Sequence, residues 1–76
     1  MKKIKLVWEF FGNDAHHFAQ HHKIHLEEFI KLRNEQIICS YEIINENFAI
    51  AYLVVPKENM KEYRDLLKPH KGFIVE

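Results

Sequence analysis

The spacing of the apolar residues changes along this 76-residue chain, and this change limits the possible folds more than any other feature. Apolar and polar positions alternate in residues 3–11, which is typical of a strand. The core side of this strand carries Ile4, Leu6, Trp8 and Phe10. After a turn at Gly12-Asn13-Asp14, apolar residues recur every three or four positions up to Arg33, as they do on one side of a helix. That side consists of Ala15, Phe18, Ala19, Leu26, Phe29 and Ile30.

The second half of the chain contains three further predicted strands and one further predicted helix. β-Branched and aromatic residues dominate 37–44 and 48–55, and the polar turn Asn45-Glu46-Asn47 between them predicts a hairpin. Residues 57–68 have the spacing of a shorter helix, and Pro69 ends it. Phe73-Ile74-Val75 predicts a last short strand. The predicted order of elements is therefore β-α-β-β-α-β.

This order of elements resembles the ferredoxin-like superfamily, including its dimeric α+β barrels. The resemblance covers the whole chain and implies one α+β domain over residues 1–76. It implies an antiparallel sheet of strand order 4-1-3-2 with both helices on one face. Metal chaperones of this fold carry Cys-x-x-Cys in the first loop, but that loop reads Gly12-Asn13-Asp14-Ala15 here. The fold alone does not predict a function.

Charge and cysteine content exclude several classes of partner. Eleven basic and eleven acidic residues give a formal net charge of zero, which argues against binding to nucleic acid or to an anionic membrane through bulk charge. No apolar run has the length of a signal peptide core or a membrane span. A single cysteine, Cys39, forms no intramolecular disulfide and is typical of a reducing compartment. We therefore expect a cytoplasmic protein.

The third strand predicts self-association because both of its sides are apolar. Ala49 and Ala51 are small enough to let the helices approach, so their side is expected to face the core. The opposite, open face of the sheet then carries Val7, Phe11, Phe48, Ile50 and Tyr52. An apolar area of this size is typical of an interface, although much of any protein surface is apolar. We expect a homodimer that packs through this open face.

Five of the six histidines lie in one ten-residue stretch, residues 16–25, inside the first predicted helix. At 100° per residue, His17, His21 and His25 form one file on an accessible side of that helix. His22 falls within the core side, and His16 points in another direction. The predicted topology brings His70, which follows the second helix, towards the start of the first helix.

A metal site is one interpretation of this arrangement. Imidazoles four residues apart on a helix can bind one ion together, which makes His17, His21, His25 and His70 the candidate ligands. Glu28 is an alternative third ligand. Zinc, copper or nickel would suit such a set. The file could equally be a solvated surface without a ligand, or a group whose charge responds to pH.

A pocket beside His22 and Trp8 is a second interpretation, with these two residues as the candidate ligand-binding pair. In an enzyme of the dimeric-barrel type, a histidine of the first helix would act as a general acid or base. His22 and Trp8 could also be ordinary core residues. The cations around the second helix are mixed with acids, which indicates a solvated face. The remaining alternative is a structural or regulatory interaction protein without a small ligand.

Overall fold

The computed structural model describes residues 2–33 and 37–75, which form four strands and two helices. The strands are β1 (Lys3–Phe11), β2 (Ile38–Asn45), β3 (Phe48–Pro56) and β4 (Lys71–Val75), and the helices are α1 (Ala15–Arg33) and α2 (Met60–Leu67). The sheet has the order β2-β3-β1-β4, and each neighbouring pair is antiparallel. This arrangement confirms the predicted α+β class and the predicted order of the strands.

Two boundaries differ from the predictions by more than one residue. The segment Lys57–Asn59 forms a 3-10 turn, so α2 begins only at Met60. β4 begins at Lys71 rather than at Phe73, because Lys71 and Gly72 pair with Val7 and Leu6 of β1. In the described parts of the chain, neither helix combines the length and the apolar character needed to cross a bilayer.

The core lies between one face of the sheet and the two helices. Its main cluster consists of Ile4, Leu6, Trp8, Leu26, Ile30, Ala51, Leu53, Val55 and Tyr63. A second cluster contains Ala15 and Ala19 of α1 with Ala49 of β3, all fully buried. These alanines let the first turns of α1 lie close to the sheet, as expected for small side chains. The prediction that Phe18 belongs to the core was wrong: Phe18 is 51% exposed, because Ala15 and Ala19 make the contact of α1 with β3 in this region and Phe18 does not take part in it.

The start of α1 lies beside the β2–β3 turn, as the topology predicted. Gly12 has a φ of +107°, a conformation that residues with a side chain rarely adopt. Its N–H donates to the carbonyl oxygen of Asn47 at 2.9 Å. The Nε2–H of His16 donates to the carbonyl oxygen of Asn45 at 2.7 Å. The helical spacing directs His16 away from the other histidines, and its hydrogen bond connects α1 to the hairpin.

Candidate functional site

The connection between α2 and β4 is bound to β1 by three hydrogen bonds. The indole Nε1–H of Trp8 donates to the carbonyl oxygen of Leu67 at 3.0 Å. The backbone N–H of His70 donates to the carbonyl oxygen of Val7 at 2.9 Å. The backbone N–H of Glu9 donates to Nδ1 of His70 at 2.8 Å. This connection therefore has a fixed position beside the middle of β1.

The His70 side chain extends the hydrogen bonding of β4 beyond the end of that strand. Pairing between β1 and β4 stops where Val7 lies opposite Lys71. The imidazole then accepts the Glu9 N–H, which would otherwise lie at an uncovered strand edge. The order of elements predicts that His70 lies near the start of α1 but does not predict this bond, because the bond depends on where β4 begins.

His22 packs against aromatic side chains of β1. Its ring centroid lies 5.1 Å from that of Trp8 and 5.5 Å from that of Phe10. The residue is half-buried, and its Nε2 is buried without a hydrogen-bond partner among the described residues. Burial lowers the pKa of His22, and the nearby charges of His25 and His70 lower it further. The two predicted ligand-binding residues, His22 and Trp8, are thus in contact, and this environment favours the neutral form of His22.

His17, His21 and His25 form the predicted file along an exposed side of α1. The ring centroids of His21 and His25 are 4.7 Å apart, whereas those of His17 and His21 are 6.3 Å apart. Nδ1 of His25 lies 3.7 Å from a carboxylate oxygen of Glu28. His70, the fourth predicted ligand, is bound instead to β1. Within residues 2–33 and 37–75, no three His, Cys, Asp or Glu side chains form a group that could hold a metal ion.

Cys39 lies half-buried on β2 and packs against the core. Its Sγ lies 3.6 Å from the carbonyl oxygen of Lys23, to which the thiol donates. Burial raises the pKa of the thiol to about 11, and the charge of Glu27 acts in the same direction. Because the thiolate is the nucleophilic form, Cys39 is a poor nucleophile at neutral pH.

A groove of about 470 Å³ lies between α2 and β4. Its apolar floor consists of Ile4, Leu6, Gly72 and Ile74. Two features of the sequence leave this space open. The eight residues of α2 span only about 12 Å, and Gly72 has no side chain to fill the space beside Leu6. A Cβ at Gly72 would lie 3.6 Å from Cδ2 of Leu6, in ordinary van der Waals contact.

The border of the groove is cationic. Lys57, Arg64 and Lys71 line it together with His70, and none of the described residues around it is Asp or Glu. Two of these cations also have an acidic neighbour outside the groove. Nε of Arg64 lies 3.2 Å from Asp65, and Nζ of Lys71 lies 3.1 Å from Glu9. In the sequence, the cations near the second helix are mixed with acids, a pattern that predicts a solvated face. The position of Gly72 beneath them gives no local signal in the sequence.

Comparisons of the chain with protein-family models, with curated proteins and with solved structures found no match. The fold, the contacts of the histidines and the groove are therefore the observations on which a functional proposal for this chain has to rest.

Proposed function

We propose that this protein binds a small amphipathic anion in the groove between α2 and β4. The observation that carries the proposal is the combination of an apolar floor with a border of cations. The ligand class that fits is an apolar body ending in a carboxylate or a similar anionic group. Of the histidines predicted as site residues, His70 borders this groove.

The size of the groove supports a ligand rather than a few water molecules. A volume of about 470 Å³ falls within the range of roughly 300–1,000 Å³ that is typical of small-molecule sites. Ile4 and Leu6 in its floor are already buried, but Ile74 is 65% exposed. An apolar chain lying on Gly72 would cover Ile74 and remove apolar surface from water, which stabilises the complex by about 25 cal/mol per Å².

The charges around the groove favour an anion over a neutral or cationic ligand. A carboxylate about 4 Å from one cation gains roughly 1 kcal/mol in water and more where solvent is partly excluded. Lys57 is the most useful cation for a test, because Arg64 and Lys71 each have an acidic neighbour. We expect Lys57 to contribute to affinity and the apolar floor to determine where the ligand lies.

Titration with octanoate, followed by amide chemical shifts, tests the proposal. Octanol and octylamine have the same alkyl chain with no charge or with a positive charge. We expect octanoate to bind more tightly than either, with the largest shift changes at Gly72, Ile74 and Met60. Equal binding of all three compounds would contradict the role of the cations. Shift changes confined to the opposite face of the sheet would place the ligand elsewhere and overturn the proposal.

Two pairs of variants separate the cations from the floor. Lys57→Gln should weaken octanoate binding by about three- to tenfold, since it removes one ionic contact. Lys61→Gln is the matched control, because Lys61 is an exposed cation of α2 that does not line the groove. Gly72→Leu should fill the floor and abolish binding, whereas Gly72→Ala should leave much of it. Binding that survives Gly72→Leu in a folded variant would refute the assignment of the site.

A further inference from the structure

The groove between α2 and β4 has two defined ends, because two backbone hydrogen bonds attach its borders to β1. At one end, the N–H of Lys57 donates to the carbonyl oxygen of Lys2 at 3.2 Å. At the other end, the N–H of His70 donates to the carbonyl oxygen of Val7 at 2.9 Å. The chain between these two attachment points is extended, so at about 3.4 Å per residue they lie roughly 17 Å apart.

The groove is apolar between its two ends. Ile4 and Leu6 lie between the two attachment points on β1, and they pair with Ile74 and Gly72 of β4 to form the floor. A polar group lying on this floor would lose contacts with water and gain no hydrogen bond from these side chains. A ligand that spans the groove therefore needs an apolar middle section.

Each end of the groove carries side chains that attract an anion. The ammonium group of Lys57 serves one end. At the other end, Nδ1 of His70 accepts the N–H of Glu9, so Nε2 of the neutral ring carries the proton and can donate to an anion. Arg64 follows Lys57 along α2, and the helical rise places it about 10 Å further towards the His70 end. The groups that attract anions are thus divided between two positions along the groove.

Two separate positions for anions, with an apolar floor between them, fit a ligand that has an anionic group at each end. A monocarboxylate satisfies only one of these positions. We propose that the groove binds a medium-chain α,ω-dicarboxylate, with one carboxylate at Lys57 and the other at His70 and Arg64. This inference rests on the proposed function, which requires only one anionic group.

Calorimetric titration with decanedioate and with its monomethyl ester tests this inference. The two compounds have the same carbon chain between their ends, but the ester has only one charge. We expect decanedioate to bind about three- to tenfold more tightly, since it makes one further ionic contact. Butanedioate and its monomethyl ester are the matched control pair, because their chain is too short to reach both ends. An equal gain from the second carboxylate in both pairs would indicate unspecific attraction by the cations and would overturn the proposal.

The variant Lys57→Gln should reduce the advantage of decanedioate over its ester to about twofold or less, because only one position for an anion remains. Lys61→Gln should keep the full advantage, since Lys61 does not line the groove. Both lysines are exposed, and circular dichroism verifies that the variants fold. An advantage that survives Lys57→Gln would overturn the proposal. Octanoate binding without any advantage for decanedioate would overturn the dicarboxylate alone, whereas no binding of any of these compounds would overturn the proposed function as well.

Discussion

The imidazole of His22 lies 5.1 Å from the indole of Trp8, with the two ring planes inclined by 53°. The same indole donates a hydrogen bond to Leu67 at the end of α2. Trp8 therefore contacts α1 through its ring and α2 through its N–H. The Trp8 side chain thus packs against His22 of α1 and also holds the end of α2 in place.

Protonation of His22 should destabilise the folded protein as the pH falls. Burial and the charges of His25 and His70 lower its pKa from the ordinary value of 6.5. The unfolded chain therefore takes up this proton at a higher pH than the folded chain. The stability due to neutral His22 is fully present well above pH 6.5 and is lost as the pH falls below it, towards the lower folded pKa. One proton changes the free energy of unfolding by at most about 1.4 kcal/mol per pH unit, and partial exposure keeps the effect below that limit.

Urea unfolding at pH 7.5, 6.5 and 5.5 measures this effect. His22→Phe keeps an aromatic ring against Trp8 but removes the titration, so its stability should fall less over this range. His17→Phe is the control, because His17 is exposed on the same helix, and it should retain the full decrease. An identical pH dependence in the His22→Phe variant and the unsubstituted protein would show that other groups are responsible.

His70 should carry its proton on Nε2 when it is neutral, since its Nδ1 accepts the N–H of Glu9. Long-range ¹H–¹⁵N spectra at pH 8 distinguish the two tautomers. In His70→Ala, the Glu9 amide should exchange with solvent about fivefold faster, which corresponds to a net hydrogen bond of about 1 kcal/mol. The amide of Tyr52, elsewhere in the sheet, serves as the control. Detection of the Nδ1–H tautomer would contradict the bond.

Local patterns in the sequence predicted the order of elements because strand and helix periodicities depend on neighbouring residues. The order of the strands in the sheet followed from the order of elements along the chain, through the resemblance to a known fold. The rotation of 100° per residue along α1 also separated His22 from the exposed file of His17, His21 and His25. The order of elements and this separation of the histidines share one property: each depends on residues only a few positions apart in the chain.

The contacts that sequence patterns missed join residues far apart in the chain. The bond between Glu9 and His70 spans 61 positions and depends on β4 beginning at Lys71. The groove depends on the position of Gly72 opposite Leu6 and on the short length of α2. The helical spacing of the apolar residues predicts Phe18 in the core, but the contact between α1 and β3 is made by Ala15, Ala19 and Ala49 and does not include it.

The two glycines should respond in opposite directions to the same substitution. Gly12 has a φ of +107°, so Gly12→Ala should destabilise the protein by about 1–3 kcal/mol. Gly72 lies in β4, where a Cβ would meet Leu6 at 3.6 Å without a clash. Gly72→Ala should therefore stabilise the protein by about 0.4–1 kcal/mol, by restricting the unfolded chain. Thermal and urea unfolding measure both changes. A neutral Gly12→Ala would show that the loop adopts another conformation at little cost.

Added zinc should bind weakly at His21 and His25, the closest pair in the exposed file, with Glu28 beside His25. Histidines on successive turns of a helix are suited to one ion, and each must be neutral to bind it. His21→Ala should weaken zinc binding by about tenfold or more, measured by calorimetry at pH 7.5 on protein without an affinity tag. His17→Ala is the comparison, since its ring centroid lies 6.3 Å from that of His21 and a smaller loss is expected. Equal losses in both variants would indicate a site shared along the whole file, and no loss in His21→Ala would exclude this pair as the ligands.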